Sequence, residues 1–233
     1  MTDFPSLSEL AWNYNNRLEY LAVEMVQELQ CMFERHAPST ADGLYQVIDI
    51  VSSASLRQVR PGRGFYLIAS DHLPPWERRN ACTLTVAGLP VLYRGQAHQV
   101  QERLMSHLAN RHYVQTKTDK GQAFWERCLK LDEVKGNKGG INVEDPPFDR
   151  SRWAVAVLPM PNSTSQMREL AEWAFDRVYG RPVASNERKQ IPRRVEAEIE
   201  AAQARARALQ LVSDRVFGQP GDGAPGRTAG TSG

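Results

Sequence analysis

The sequence predicts an α/β fold in which a small mixed or antiparallel sheet is flanked by helices, with further helices added at both ends of the chain. Three observations support this prediction. Short apolar runs are bounded by glycine and proline, which favours strands. Longer segments repeat apolar residues every three or four positions, as helices that pack on one face do. The 233 residues, of which 41% are hydrophobic, suffice for one sizeable core.

The first predicted element is a long helix at about residues 6–36, within an N-terminal helical element of residues 1–42. The segment Ser6-Leu-Ser-Glu9 has the pattern of a capping box. The helix also carries one continuous apolar stripe: Leu7, Leu10, Ala11, Tyr14, Leu18, Leu21, Ala22, Met25, Leu29, Met32 and Phe33. Such a stripe needs a cover, so we expect it to pack against the rest of the chain, with a homodimer contact as the alternative.

Residues 43–190 are predicted to form the main domain. Strands are expected at residues 44–51, from Gly64 onwards, at residues 83–93 and at residues 153–158. Helices are expected at residues 97–110 and 166–178. The second of these begins after the hydroxyl-bearing run Ser163-Thr-Ser165 and ends at Gly180, which are typical helix start and stop signals.

The C-terminal end of the chain differs in composition from the main domain. Residues 191–217 are rich in alanine and in charged side chains, which predicts a helix that packs on the domain or, alternatively, mediates a homodimer. Residues 218–233 are mostly glycine, proline and small polar residues. We predict that this tail is disordered because it has almost nothing to bury.

Two segments of the main domain carry a functional signal. Gly64-Phe-Tyr66 opens one apolar strand, and Tyr93-Arg-Gly95 lies at the end of another. Ten residues after Tyr93, the next predicted helix presents Arg103, and His107 follows one turn later. Residues one turn apart project from the same helix face, so Arg103 and His107 are expected to point towards one site.

A later segment completes the pattern. Glu172 lies in the helix at 166–178, and Asn186 follows it by 14 residues. In this order the segments resemble the GIY-YIG endonuclease family, over roughly residues 60–190. The resemblance implies an α/β nuclease domain whose catalytic residues are Tyr66, Tyr93, Arg103, His107, Glu172 and Asn186.

The roles implied by the resemblance are those of phosphodiester hydrolysis. Glu172 would hold one Mg²⁺ (or Mn²⁺), with Glu169 as its rival. Arg103 would contact the scissile phosphate through its planar guanidinium group. The two tyrosines would orient the attacking water, and one of them would act as the general base. His107 would relay a proton or hold a phosphate oxygen, and Asn186 would bind the substrate backbone or fix its own loop.

The chain also departs from the family pattern. The two tyrosines lie 27 residues apart and the segment from Arg103 to Glu172 is also long, so we interpret residues 69–89 and 109–150 as insertions. In addition, Arg94 replaces the usual aliphatic residue between tyrosine and glycine. Loops on a rigid scaffold often carry variable function, and the second insertion is rich in lysine. We predict that its five lysines bind nucleic acid: Lys117, Lys120, Lys130, Lys135 and Lys138.

The sequence as a whole predicts a metal-dependent DNA endonuclease with a restriction or defence role. A toxin or mobile-element nuclease is one alternative, and a catalytically inactive nucleic-acid-binding or interaction protein on the same scaffold is another. The net charge is only +2, so the DNA-binding surface must be a local patch. Three widely spaced cysteines without a CxxC pair argue against a disulfide framework or a zinc site. We therefore expect a cytoplasmic protein with no membrane partner.

Overall fold

Five antiparallel strands form one sheet within the ranges that the computed structural model describes, which are residues 6–35, 45–72, 81–124 and 141–185. The order across the sheet is β1-β5-β2-β4-β3. The strands are β1 Gln46–Asp49, β2 Gly64–Ser70, β3 Thr85–Val86, β4 Leu89–Ala97 and β5 Trp153–Pro159. The helices are α1 Leu7–Arg35, α2 Val100–Leu108, α3 Asn110–Asp119 and α4 Ser165–Tyr179. The predicted α/β class with an antiparallel sheet is confirmed.

Strand β2 is the centre of the sheet, and helices cover both of its faces. All seven of its residues are buried, as expected for a strand without a solvent-facing side. Successive side chains of a strand point to opposite faces. The ring of Phe65 contacts Phe175 of α4 at 5.6 Å between centroids, whereas the ring of Tyr66 lies 5.8 Å from that of His107 on α2. Helices α2 and α4 therefore lie on opposite faces.

Helix α1 has the predicted capping box. The backbone N–H of Ser6 donates to Glu9 Oε2 at 2.7 Å, and the backbone N–H of Glu9 donates to Ser6 Oγ at 3.2 Å. The second half of the helix packs on α4, where the hydroxyl of Tyr179 donates to the carbonyl of Leu29 at 2.9 Å. This half buries Ala22, Val26, Leu29 and Met32.

The first half of α1 does not follow the expected stripe. Leu7, predicted to be covered, is 86% exposed, and Tyr14 is 50% exposed although its hydroxyl donates to Gln166 of α4. Packing on the rest of the chain is thus confirmed only for the second half. A dimer contact through this helix stays a prediction.

The predicted helix at residues 97–110 is shorter than expected, and a further helix follows it. Helix α2 ends at Leu108, and Ala109 pairs with Asn142 in an isolated β-bridge. The backbone N–H of Asn110 donates to Ile141 and that of Val143 donates to Leu108. Because these backbone groups pair with a distant segment, the helix cannot continue, and α3 starts afresh inside the predicted insertion.

The predicted insertion at residues 69–89 is partly an element of the sheet. It contains the end of β2 and strand β3, which pairs with the start of β4. Ala87 and Gly88 join β3 to β4 with positive φ values of 54° and 75°, as tight hairpin turns require. The predicted strand at residues 83–93 is therefore divided by a turn at Ala87 and Gly88.

Several predictions fall outside the described residues. These are the C-terminal helix at 191–217, the tail at 218–233, and the residues Asn186, Cys128, Lys130, Lys135 and Lys138. Within the described ranges, Cys31 and Cys82 take part in no disulfide bond. None of the helices in the described ranges is long and apolar enough to cross a membrane.

Candidate functional site

The two motif glycines are dictated by close contacts. Gly95 lies directly across from Tyr66 in the β2–β4 ladder. A Cβ atom at Gly95 would lie 2.5 Å from Tyr66 Oη and 2.9 Å from Cε1 of Tyr93. A Cβ atom at Gly64 would lie 2.6 Å from the carbonyl oxygen of Leu158 on β5. All three distances are shorter than side chains tolerate, so glycine at these positions lets strands and rings approach each other.

Tyr66, Tyr93 and His107 form one aromatic group on the α2 face of the sheet. The hydroxyl of Tyr66 is hydrogen-bonded to Nε2 of His107 at 2.8 Å. The ring of Tyr93 lies 6.1 Å from that of Tyr66 and 4.8 Å from that of His107. Three predicted site residues from two strands and one helix thus lie together.

Arg103 adds a positive charge to this group. It lies one turn before His107 on α2 and is partly exposed. Burial raises the pKa of Tyr66 well above its usual value near 10, and the charge and hydrogen bond of Arg103 oppose that rise. The same guanidinium charge counteracts the effect of burial on the pKa of Tyr93. Arg103 therefore favours ionisation of both phenols.

His107 is held neutral by its surroundings. Burial lowers the pKa of His107 well below its usual value, and the charge of Arg103 lowers it further. Both effects disfavour the protonated ring. Among the described residues, Nδ1 of His107 is buried without a hydrogen-bond partner. A neutral ring with one buried bare nitrogen fits the tautomer that carries its proton on Nε2, which then donates to Tyr66.

Exposure divides the four residues into two pairs. Tyr66 and His107 are completely buried, so a substrate cannot contact them directly. Tyr93 and Arg103 are partly exposed and are the two groups that a substrate can touch. The arrangement thus presents one phenol and one guanidinium to the solvent, supported by a hydrogen-bonded tyrosine and histidine.

Glu172 lies on the other face of the sheet from this group. It belongs to α4, and its Oε1 is 3.3 Å from Nη1 of Arg94. The guanidinium of Arg94 also donates to both carboxylate oxygens of Asp176, at 2.9 Å and 2.7 Å. Because Arg94 follows Tyr93 in β4, their side chains point to opposite faces. Glu172 is nevertheless close enough for its negative charge to raise the pKa of Tyr93.

These surroundings do not fit the predicted Mg²⁺ (or Mn²⁺) at Glu172. The side chain of Glu172 is only 10% exposed and is ion-paired with a buried guanidinium, which would repel a divalent cation. Among the described residues, no group of three or more histidine, cysteine, aspartate or glutamate side chains is placed to hold a metal ion. Glu169, the predicted alternative metal ligand, lies on the same helix. Its charge opposes the effect of burial, which lowers the pKa of Arg168.

Asn186 follows a segment that runs beside the edge of β4. The backbone N–H of Ala184 donates to the carbonyl of Leu92 at 2.9 Å, and that of Arg94 donates to Ser185 Oγ at 3.1 Å. This segment covers the edge of β4 up to Ser185, the last described residue. The role predicted for Asn186 stays a prediction.

Of the five predicted nucleic-acid-binding lysines, two lie in the described residues. Lys117 and Lys120 lie at the end of α3 and in the turn that follows it. Nζ of Lys117 is 2.6 Å from Oε1 of Glu102 on α2, whereas Lys120 is exposed. Both line a cleft to which Arg57, not predicted from the sequence, also contributes.

No known family model matches this chain. No curated protein and no solved structure matches it either. The resemblance to GIY-YIG endonucleases therefore stays a prediction from the motif residues.

Proposed function

We propose that this protein is a phosphodiester hydrolase of the GIY-YIG type that acts on DNA. The proposal depends on one observation. Tyr66, Tyr93, Arg103 and His107 are separated by up to 41 residues in the chain, yet they form one contiguous group in which Tyr66 and His107 are 2.8 Å apart. A phenol beside a guanidinium at a partly exposed position suits the binding and hydrolysis of a phosphate diester.

In this proposal Arg103 binds the scissile phosphate. Its planar guanidinium can donate two parallel hydrogen bonds to phosphate oxygens, and its charge stabilises the negative charge that builds up as water attacks. A substrate phosphate reaches it from solvent because Arg103 is partly exposed. Attack by water forms a new P–O bond, the P–O3′ bond breaks, and the departing 3′ oxygen takes a proton from bulk water.

Tyr93 is the proposed general base for the attacking water. A phenolate is needed for this role, and burial opposes its formation by raising the pKa of Tyr93. The charge of Arg103 and a hydrogen bond from Tyr66 favour it. His107 supports the same arrangement if Nε2–H donates to Tyr66, since the hydroxyl of Tyr66 can then donate to Tyr93. Tyr66 and His107 are therefore positioning residues.

Single-turnover cleavage of plasmid DNA tests the proposal, measured in Mg²⁺, in Mn²⁺ and in a chelator. Arg103→Ala and Tyr93→Phe should lower the rate by about a hundredfold or more, as loss of one transition-state group does. The matched control is Arg111→Ala, which removes an exposed arginine of α3 that pairs with Asp145. It should leave the rate within about twofold of wild type.

A second candidate function is nucleic-acid binding without catalysis on the same scaffold. It is favoured by the ion pair between Glu172 and Arg94, because the carboxylate expected to take part in catalysis is already neutralised. The same assay separates the two functions when a DNA-binding isotherm is recorded beside it. Wild-type protein that binds DNA but cleaves none under all three ionic conditions would favour this alternative and exclude the hydrolase.

A further inference from the structure

A second feature of the molecule is a polar cleft on the far flank of α2. Its volume is about 420 Å³, and it lies between the short 3₁₀ helix Ser55–Gln58, α2 and α3. Gln101 and Met105 line the cleft, whereas Arg103 and His107 form a group with Tyr66 and Tyr93, which we call the tyrosine group. Positions two residues apart point about 200° from each other around a helix. The cleft and the tyrosine group therefore flank α2 on opposite sides.

The lining of the cleft carries excess positive charge. Arg57, Lys117 and Lys120 contribute three cationic groups and Glu102 contributes one carboxylate. Lys117 neutralises that carboxylate, because its Nζ lies 2.6 Å from Oε1 of Glu102. The net positive charge is thus supplied by the exposed side chains of Arg57 and Lys120.

The structure holds several of these polar groups in place. The side-chain amide of Gln101 donates to the backbone carbonyls of Arg57 and Val59, at 3.0 Å and 2.9 Å. This fixes the 3₁₀ helix against α2. Lys117 also donates to Gln122 at 3.2 Å and lies over the ring of Tyr113, 5.8 Å from its centroid. A concave, ordered surface with a positive charge excess suits a phosphate group.

We propose that this cleft binds a backbone phosphate of the same nucleic-acid strand whose scissile phosphate contacts Arg103. The width of α2 and the spacing of charges on DNA allow one strand to contact both the cleft and Arg103. An α-helix with its side chains is about 10–12 Å wide, and each DNA strand carries one charge per about 3.4 Å along the axis. A strand that crosses α2 can therefore place one phosphate on each flank. This inference depends on the proposed function for its second phosphate.

The test is binding of a fluorescein-labelled DNA duplex, followed by fluorescence anisotropy over a range of salt concentrations. The double variant Arg57→Ala/Lys120→Ala should raise Kd about tenfold and make the slope of log K against log salt shallower by about 0.9, as expected for one lost phosphate contact. The matched control, Arg150→Ala/Arg177→Ala, removes two exposed arginines that do not line the cleft. It should leave Kd within about twofold of the wild-type value and leave the salt slope unchanged.

The outcomes separate this inference from the proposed hydrolase. Unchanged affinity and unchanged salt slope in the double variant would overturn the cleft proposal, even if wild type cleaves DNA. Binding that depends on Arg57 and Lys120 in a wild-type protein that cleaves nothing would support the cleft and exclude the hydrolase.

Discussion

Gly95 shows how one residue of a motif is determined by its neighbour across the sheet. Tyr66 is completely buried and its hydroxyl is fixed by His107, so its ring cannot move away from β4. The space in front of Gly95 is filled by that ring and by the ring of Tyr93. The requirement for glycine here comes from close packing, since Gly95 is not among the residues with positive φ.

The substitution Gly95→Ala should therefore destabilise the fold. The added Cβ would lie 2.5 Å from Tyr66 Oη and 2.6 Å from Cζ. Overpacking of this kind costs about 1–3 kcal/mol of unfolding free energy. Urea unfolding measures the loss. The same substitution in a Tyr66→Phe background is the control, and it should cost less because the nearest oxygen is gone. Equal costs in both backgrounds would show that the hydroxyl is not the obstacle.

At the scale of residues, the sequence predicted the tyrosine group of the candidate site but not the surroundings of Glu172. The spacing of Tyr93, Arg103 and His107 fixes their order along a strand and one helix face, and the structure brings them together with Tyr66. The contact between Arg94 and Glu172 was not predicted. Strand alternation implies that Arg94 points away from Tyr93, but only tertiary packing decides that α4 covers that other face.

At the scale of elements, α4 carries a row of charged side chains that faces β4. Arg168, Glu172 and Asp176 are spaced by four residues and all lie on one helix face. Arg94 contacts the two carboxylates, and Gln96 accepts a hydrogen bond from Nε of Arg168 at 3.0 Å. The row and Arg94 together contain two guanidinium groups and two carboxylates, so the polar layer between α4 and β4 is balanced in charge.

Replacing Arg94 should disturb this layer strongly. Arg94→Met leaves Glu172 and Asp176 without their shared cation, and breaking a buried ion pair costs about 3–5 kcal/mol. The triple variant Arg94→Met/Glu172→Gln/Asp176→Asn removes all three charges and should recover much of that loss. Urea unfolding followed by tryptophan fluorescence suits the measurement, since Trp173 on α4 is buried. A triple variant less stable than Arg94→Met would contradict the charge-balance explanation.

The elements differ in how far local sequence determines them. The capping box at Ser6 and the N-cap at Thr164, which accepts from Met167 N–H at 3.1 Å, are local hydrogen bonds, and both were predicted. The end of α2 depends on pairing of Ala109 with Asn142, more than thirty residues away. Such a contact produces no periodic pattern in the sequence, so the predicted helix was too long and α3 was not predicted.

At the scale of the whole molecule, strand order decides which residues can meet. The sequence predicted the strands but not their neighbours. Strand β2 lies between β4 and β5, although β5 is separated from it by more than eighty residues. This order places Tyr66 beside Gly95 and buries it under α2. Non-local pairing of this kind costs conformational entropy, because long loops must close. It cannot be inferred from the propensities within each strand.

The buried tyrosine and histidine should shape the pH dependence of the whole fold. His107 has a pKa well below the usual 6.5, so below about pH 6.5 the unfolded chain binds more protons and stability falls as pH falls. Tyr66 has a pKa well above 10, so above about pH 10 the unfolded chain binds fewer protons and stability falls as pH rises. Each displaced proton contributes a slope of up to about 1.4 kcal/mol per pH unit.

Urea unfolding at a series of pH values should show a loss of stability at both the acid and the alkaline end, here called the acid limb and the alkaline limb. His107→Gln should flatten the acid limb and Tyr66→Phe the alkaline limb, whereas the exposed His112→Gln should change neither. An acid limb that survives intact in His107→Gln would mean that other groups cause it.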